Sequence, residues 1–209
     1  MYKSQNNETE VVLSYFHNRP DKKSVLSIGE NDGITYSNSY DLVQMGWEGF
    51  LLEPSPKAFE KLKKLYEGTE KKVNLYNFGI ANETGKFKFN ESGSYNHVGE
   101  DVALLSSLVD SEMVRWGETV RFEPIEAEFK TFQDFISEIK NPSFEYITID
   151  AEGYDYDILR QIDLRAVHCA CLCIEHNGIN SLMEQYREYA NRYHLKEISL
   201  NPENIIFAL

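Results

Sequence analysis

Val25-Leu26-Ser27-Ile28-Gly29-Glu30-Asn31-Asp32-Gly33, followed downstream by Phe50-Leu51-Leu52-Glu53-Pro54, is the stretch on which the fold of this chain turns. An apolar run breaks into a turn whose glycines stand four positions apart, and a second apolar run ends in a single carboxylate. Gly29 lets the chain turn off the strand tip, and Gly33 leaves room for a ligand against the backbone where the next helix begins. Glu53, at the end of the neighbouring strand, can accept hydrogen bonds from both hydroxyls of a ribose. An α/β fold that binds a nucleoside is expected.

The spacing excludes two ligands. Dinucleotide sites carry G-x-G-x-x-G so that a pyrophosphate can rest on the helix N-terminus. Here Asn31 stands two positions after Gly29, and its side chain would crowd that approach. The chain also lacks G-x-x-x-x-G-K-[S/T], the loop that cradles a triphosphate. A nucleoside without phosphates fits what remains, and S-adenosylmethionine is the common one.

Four segments carry a family resemblance: Ser27 to Gly33, Leu52-Glu53-Pro54-Ser55-Pro56, Ile149-Asp150-Ala151-Glu152-Gly153-Tyr154, and Cys173-Ile174-Glu175-His176. Together they resemble the FkbM-type S-adenosylmethionine-dependent methyltransferases, whose pattern reads D-x-G-A-N-x-G, then E-P, then D-x-E-G. The chain departs at Ser27, where the family has Asp, and at Glu30, where Ala is usual. In the family that Asp helps to hold the methionine amino group, leaving Glu30 or Asp32 to substitute, or a lower cofactor affinity. The resemblance implies a three-layer, Rossmann-like class I methyltransferase fold and an enzyme that methylates a hydroxyl of a small molecule or sugar.

Composition narrows the partners. The chain has 209 residues and a net charge of −13, enough length for one domain with a substantial core. The acidic balance argues against nucleic acid and anionic membrane surfaces, because phosphate contacts need clustered Lys and Arg. No apolar run approaches the roughly 20 residues of a membrane span, and Met1 to Glu10 is polar and acidic, unlike a signal peptide. Cys169, Cys171 and Cys173 alternate along one strand, where disulfide geometry is rarely met. A reduced, cytoplasmic protein is the default.

Strands and helices alternate along the whole length, so residues 1–209 read as a single domain, with 1–23 as an N-terminal helical segment. A helix is expected over Glu8–His17, a strand over Val25–Ile28, a helical pattern through Tyr36, Tyr40 and Val43, and a strand over Gly49–Glu53. Ser55-Pro56 is a helix start, with Phe59, Leu62 and Tyr66 facing the sheet. A third strand is expected over Val73–Ala81, followed by Lys86–Phe89. From about 91 to 130 the pattern degrades around Tyr95, His97 and Trp116, which reads as a lid over the substrate, or as support for a homodimer. Thr131 then starts a helix, strands follow over Phe144–Asp150 and Ala170–Glu175 with a helix between them, and a helix through Leu182, Tyr186, Tyr189 and Tyr193 precedes a closing hairpin. A mostly parallel sheet with an antiparallel C-terminal hairpin suits a methyltransferase better than a dehydrogenase.

Ligands of open α/β sheets bind beyond the carboxyl ends of the strands. The expected cofactor residues are Gly29, Glu30, Asn31, Asp32, Gly33, Glu53 and Pro54, with Phe78, Gly79 and Ile80 lining the adenine face and Asp150 at a further tip. For catalysis, an acceptor hydroxyl must lose its proton to a base with a pKa near working pH, a role open to His176 or Asp150, with His97 in reserve. A divalent cation such as magnesium, held by Asp150, Glu152 and Glu175, could instead lower the hydroxyl pKa. Two rival readings stand: a nicotinamide-dependent oxidoreductase, and a non-catalytic module that binds S-adenosylmethionine or a protein on the same fold.

Overall fold

A computed structural model describes residues 2–19, 23–93, 103–140 and 142–209. Its elements run α1 (Glu8–Phe16), β1 (Ser24–Ile28), α2 (Tyr40–Gln44), β2 (Glu48–Leu52), α3 (Pro56–Tyr66), β3 (Val73–Tyr76), β4 (Gly79–Ile80), β5 (Gly85–Ser92), α4 (Asp110–Trp116), β6 (Phe122–Lys130), α5 (Phe132–Ser137), β7 (Tyr146–Ile149), α6 (Asp155–Leu159), β8 (Cys171–Glu175), α7 (Asn180–Arg192), β9 (Lys196–Leu200) and β10 (Asn204–Ala208).

Among the described residues, the main sheet has the order β3-β2-β1-β7-β8-β10-β9. The first five of these strands pair in parallel, and β10 inserts antiparallel between β8 and β9. Side chains alternate between the two faces of each strand. Leu26, Ile28, Phe50, Leu52, Ile147 and Ile149 point toward α5, α6 and α7, packing with Phe132, Phe135, Ile158 and Tyr186. Val25, Leu51, Tyr146, Cys171 and Cys173 point the other way, onto Val12, Phe16, Leu42, Val43 and Leu62 of α1, α2 and α3. Burial on both faces is why these strands read as unbroken apolar runs. The three cysteines are buried and unpaired. At the start of α3 the Ser55 hydroxyl accepts the Ala58 N–H at 3.1 Å, with Pro56 in the first turn, a cap that contributes about 1 kcal/mol.

Three expectations need correction. The strand foreseen over Val73–Ala81 is two strands in different sheets. β3 stays beside β2, while β4 joins β6 and β5 in a small second sheet. Asn77 marks the break, donating its amide to the Glu53 carbonyl at 2.9 Å. The helical pattern from Tyr36 yields only the short α2, because Tyr36 sits at φ +56°, outside any helix. The stretch foreseen as irregular contains α4 and the nine-residue β6, which pairs antiparallel with β5 from Gly85↔Phe129 to Ser92↔Phe122. Tyr95 and His97 lie outside the described residues. Among the described residues no helix is long and apolar enough to cross a membrane.

Candidate active site

A cavity of about 480 Å³ opens beyond the carboxyl ends of β1, β2, β7 and β8. Its wall at β1 is built by Gly29, Glu30 and Asn31, the first half of the loop that runs to Gly33. Gly29 (φ +85°) donates its N–H to the Leu52 carbonyl, and a Cβ there would lie 1.8 Å from the Asp150 carbonyl oxygen. The first glycine is thus demanded by the tip of β7 crossing against it. The second serves packing rather than a ligand, correcting the expectation: at Gly33 (φ +80°) a Cβ would meet Leu62 at 2.5 Å and Leu65 at 2.9 Å, both from α3. Asp32 is also turned to the loop itself, accepting the N–H groups of Ile34 and Thr35 and the Thr35 hydroxyl. Neither Asp32 nor Gly33 lines the cavity, whereas Gly29, Glu30 and Asn31 do.

Glu53 and Pro54 face the cavity from the tip of β2. One Glu53 oxygen accepts the Asn31 N–H at 2.8 Å and the other the Ser55 N–H at 2.7 Å. A carboxylate oxygen has a second lone pair, so two acceptor positions remain for a pair of hydroxyls. Burial is the main reason its pKa rises to about 8, with Glu30 and Glu91 adding repulsion. Glu30 is buried and receives the hydroxyls of Ser37 and Ser39, each at 2.7 Å. Burial raises its pKa too, while the hydroxyls of Ser27, Ser37 and Ser39 pull it down.

On the side expected to take the adenine, Gly79 and Ile80 line the cavity with Phe89 and Phe129. Phe78 does not; its ring packs against Tyr76 and Phe135 and lies under the Lys130 ammonium. The chain leaves β3 in a direction that sends Phe78 to the core.

At the opposite side the tips of β7 and β8 bring Asp150, Glu152 and Glu175 together, with a carboxylate oxygen of each within 4.8 Å of the others. Burial first, then the neighbouring charges of Asp155, Glu8 and Glu30, raise Asp150 to about 7. Glu152 and Glu175 are pushed well up by burial first and then by the charges of Asp150 and Asp155, eased by Arg115. Asp155 is the cap of this turn, accepting the N–H groups of Ala151 at 2.8 Å and Gly153 at 3.0 Å. The backbone is strained where these groups converge: Glu152 sits at φ +47° and Asn177 at φ +50°.

His176, the expected base, is not on the cavity wall. Its Nδ1 accepts the Gly178 N–H at 2.9 Å, which leaves the proton on Nε2, 3.1 Å from the Asn201 carbonyl oxygen. Both ring nitrogens are spent on backbone, so the imidazole braces the turn before β10. His97 lies outside the described residues.

Sequence reasoning missed several lining residues. Asn38 and Thr148 form part of the floor, and Arg115 and Trp116 approach from α4. The rim is completed by Gln5, Pro202 and Glu203. Glu8 ties these two segments together, accepting the Asn6 N–H and the amides of Asn201 at 2.8 Å and Asn204 at 2.9 Å, while the Asn6 amide donates to Glu203 at 2.7 Å. Such contacts between distant segments leave no local signature.

Solved structures of similar fold include several methyltransferases. A precorrin-6y C5,15-methyltransferase from Geobacter metallireducens aligns with 100% of this chain and 93% of its own, at TM-score 0.50 and 12% identity. A putative RNA methyltransferase from Pyrococcus horikoshii aligns with 100% of this chain and 86% of its own, at TM-score 0.51 and 11% identity. A ribosomal protein L11 methylase from Lactobacillus delbrueckii subsp. bulgaricus aligns with 97% and 78%, at TM-score 0.50 and 10% identity. At such identities the likeness is one of fold, the Rossmann-like class I methyltransferase fold. Comparison with curated proteins finds no match. The family model of the methyltransferase FkbM domain matches residues 27–195, from the end of β1 through α7. With the glycine turn, the β2 acid and the acidic β7 tip all inside that span, the chain belongs to the FkbM methyltransferase family.

Proposed function

We propose that the protein transfers a methyl group from S-adenosylmethionine to a hydroxyl of a small molecule or sugar. When bound, S-adenosylmethionine supplies an electrophilic methyl carbon on a sulfonium. Glu53 would take the ribose hydroxyls, and Gly79, Ile80, Phe89 and Phe129 would enclose the base. The observation that carries the O-methyl reading is Asp150: a carboxyl raised to about 7, on the cavity wall, at the tip of the strand next to β1. A base of that strength can accept the acceptor's hydroxyl proton near neutrality as the oxygen–carbon bond forms. The −13 charge and the carboxylates on the wall favour neutral or cationic acceptors over nucleic acid or membrane lipid. The test is methyl transfer to a panel of hydroxylated acceptors. Asp150→Asn should abolish turnover and leave S-adenosylhomocysteine affinity within a few-fold; retained turnover would remove Asp150 as the base.

One observation favours a second route to the same reaction. Three carboxylate oxygens within 4.8 Å match the oxygen-rich shell that magnesium or calcium takes. Asp150, Glu152 and Glu175 would hold the ion, and the Asn177 amide, bonded to Glu175 at 2.6 Å, would fix one of them. A divalent cation there would supply Lewis acidity toward the acceptor hydroxyl. Turnover abolished by chelation and restored by magnesium favours this route; turnover indifferent to chelation favours Asp150 alone.

A further inference from the structure

Residues 37–39 place three polar side chains side by side beneath the cavity, and two are already committed. Ser37 and Ser39 both donate to Glu30. Asn38, between them, lines the cavity and is only 7% exposed. Its carboxamide oxygen has no hydrogen-bond partner among the described residues. Among the described residues its amide nitrogen reaches only the Thr148 hydroxyl, at 3.4 Å, the outer limit of a hydrogen bond. A buried acceptor left unpaired is costly, and native structures rarely keep one without a ligand, ion or water to fill it.

The position of Asn38 says which ligand group would fill it. Thr148 pairs in register with Ser27, so Asn38 sits at the seam between β1 and β7. Glu53 closes β2, on the opposite flank of β1. Neighbouring strands are about 4.8 Å apart, so the two sites lie about 10 Å apart across the sheet. A nucleoside whose ribose is held at Glu53 can therefore extend a side arm to Asn38, and the atom waiting there is an acceptor that needs a donor. Glu30, in the same chamber, adds a carboxyl that a cation would favour in its charged form.

We propose that the Asn38 carboxamide oxygen receives the amino group on the amino-acid arm of the cofactor. The inference rests on the S-adenosylmethionine reading and adds to it a residue outside the glycine loop. It makes Asn38 a positioning residue, fixing the arm from which the sulfonium is held.

Calorimetry on the whole 209-residue chain with three ligands separates the two ideas. S-adenosylhomocysteine carries the whole arm, its desamino analogue lacks only the amino group, and 5′-methylthioadenosine lacks the amino-acid end. Asn38→Leu, similar in size and unable to accept, should bind S-adenosylhomocysteine about 10- to 100-fold more weakly, the range of a charge-assisted hydrogen bond. It should bind 5′-methylthioadenosine and the desamino analogue as the wild type does. Asn38→Asp serves where the leucine variant does not fold, and should hold or raise the preference for S-adenosylhomocysteine over the desamino analogue. Equal S-adenosylhomocysteine affinity in wild type and Asn38→Leu, or a parallel loss for all three ligands, overturns the assignment. A wild type that binds none of the three overturns the cofactor reading itself.

Discussion

The Glu53 carboxylate accepts the Asn31 N–H at 2.8 Å, so the loop that follows β1 hangs from the tip of β2. The same carboxylate holds the Ser55 N–H at the start of α3 and faces the cavity. One acid thus shapes the site and presents it. Glu53→Gln keeps the size but weakens one arm of this clamp. Its S-adenosylhomocysteine affinity should fall at least about tenfold, or ~1.4 kcal/mol, with an unchanged far-UV spectrum. A dissociation constant within twofold of wild type would take Glu53 out of the cofactor site.

The raised pKa of Glu53, about 8, gives that site a pH signature. The unfolded chain titrates there at about 4.3, so folding takes up a proton. The stabilisation is full below the unfolded value and is lost as pH rises through about 8. Ligand-free protein should therefore lose melting temperature between pH 6 and pH 8.5, and Glu53→Gln should lose less. Ribose hydroxyls favour the carboxylate form, so S-adenosylhomocysteine should bind more tightly as pH climbs toward 8 and then level off. Affinity flat across that window, measured by calorimetry, would contradict the assignment.

Gly29 and Gly46 both have positive φ but differ in surroundings. A Cβ at Gly29 would collide with the Asp150 carbonyl, whereas at Gly46 nothing lies within 4 Å. Gly46→Ala should cost only the left-handed strain, about 1–2 kcal/mol. Gly29→Ala should push the tips of β1 and β7 apart, lowering the melting temperature far more and abolishing S-adenosylhomocysteine binding. Similar melting temperatures for the two variants would show that the contact is not constraining.

His176→Ala tests a structural role. Losing two backbone partners should destabilise the protein by about 1–3 kcal/mol, while S-adenosylhomocysteine affinity is retained. Turnover per folded molecule should persist; its complete loss in a folded variant would return the imidazole to the chemistry.

The fold was legible because its signals are local. Apolar runs of strand length, the Ser55-Pro56 start and the Gly29 turn each report on a few adjacent residues. Gly33 is legible as a special position but not as a packing one, since the leucines that crowd it come from α3, with α2 and β2 lying between in the chain. His176 carried the right chemistry, yet only three-dimensional contacts show both nitrogens taken. β6 has a local trace as well: Ile125, Ala127 and Phe129 alternate with Glu126, Glu128 and Lys130. Pro124 and the polar residues before it obscured that period. Asn38 had no trace at all, because an unpaired oxygen is visible only when every neighbour is in place.

Glu8 reaches Asn201 and Asn204 across almost the full length of the chain. Between them lies an order of events. β9 is made before β10, yet its neighbour in the sheet is β10, which pairs in turn with β8. The edge strand must wait for residues 204–208, and the rim formed by Gln5, Pro202 and Glu203 waits with it. Contacts this remote in sequence form late, because the loop they close is long. The chamber is therefore finished only when β10 takes the place between β8 and β9 that the strand order reserves for it.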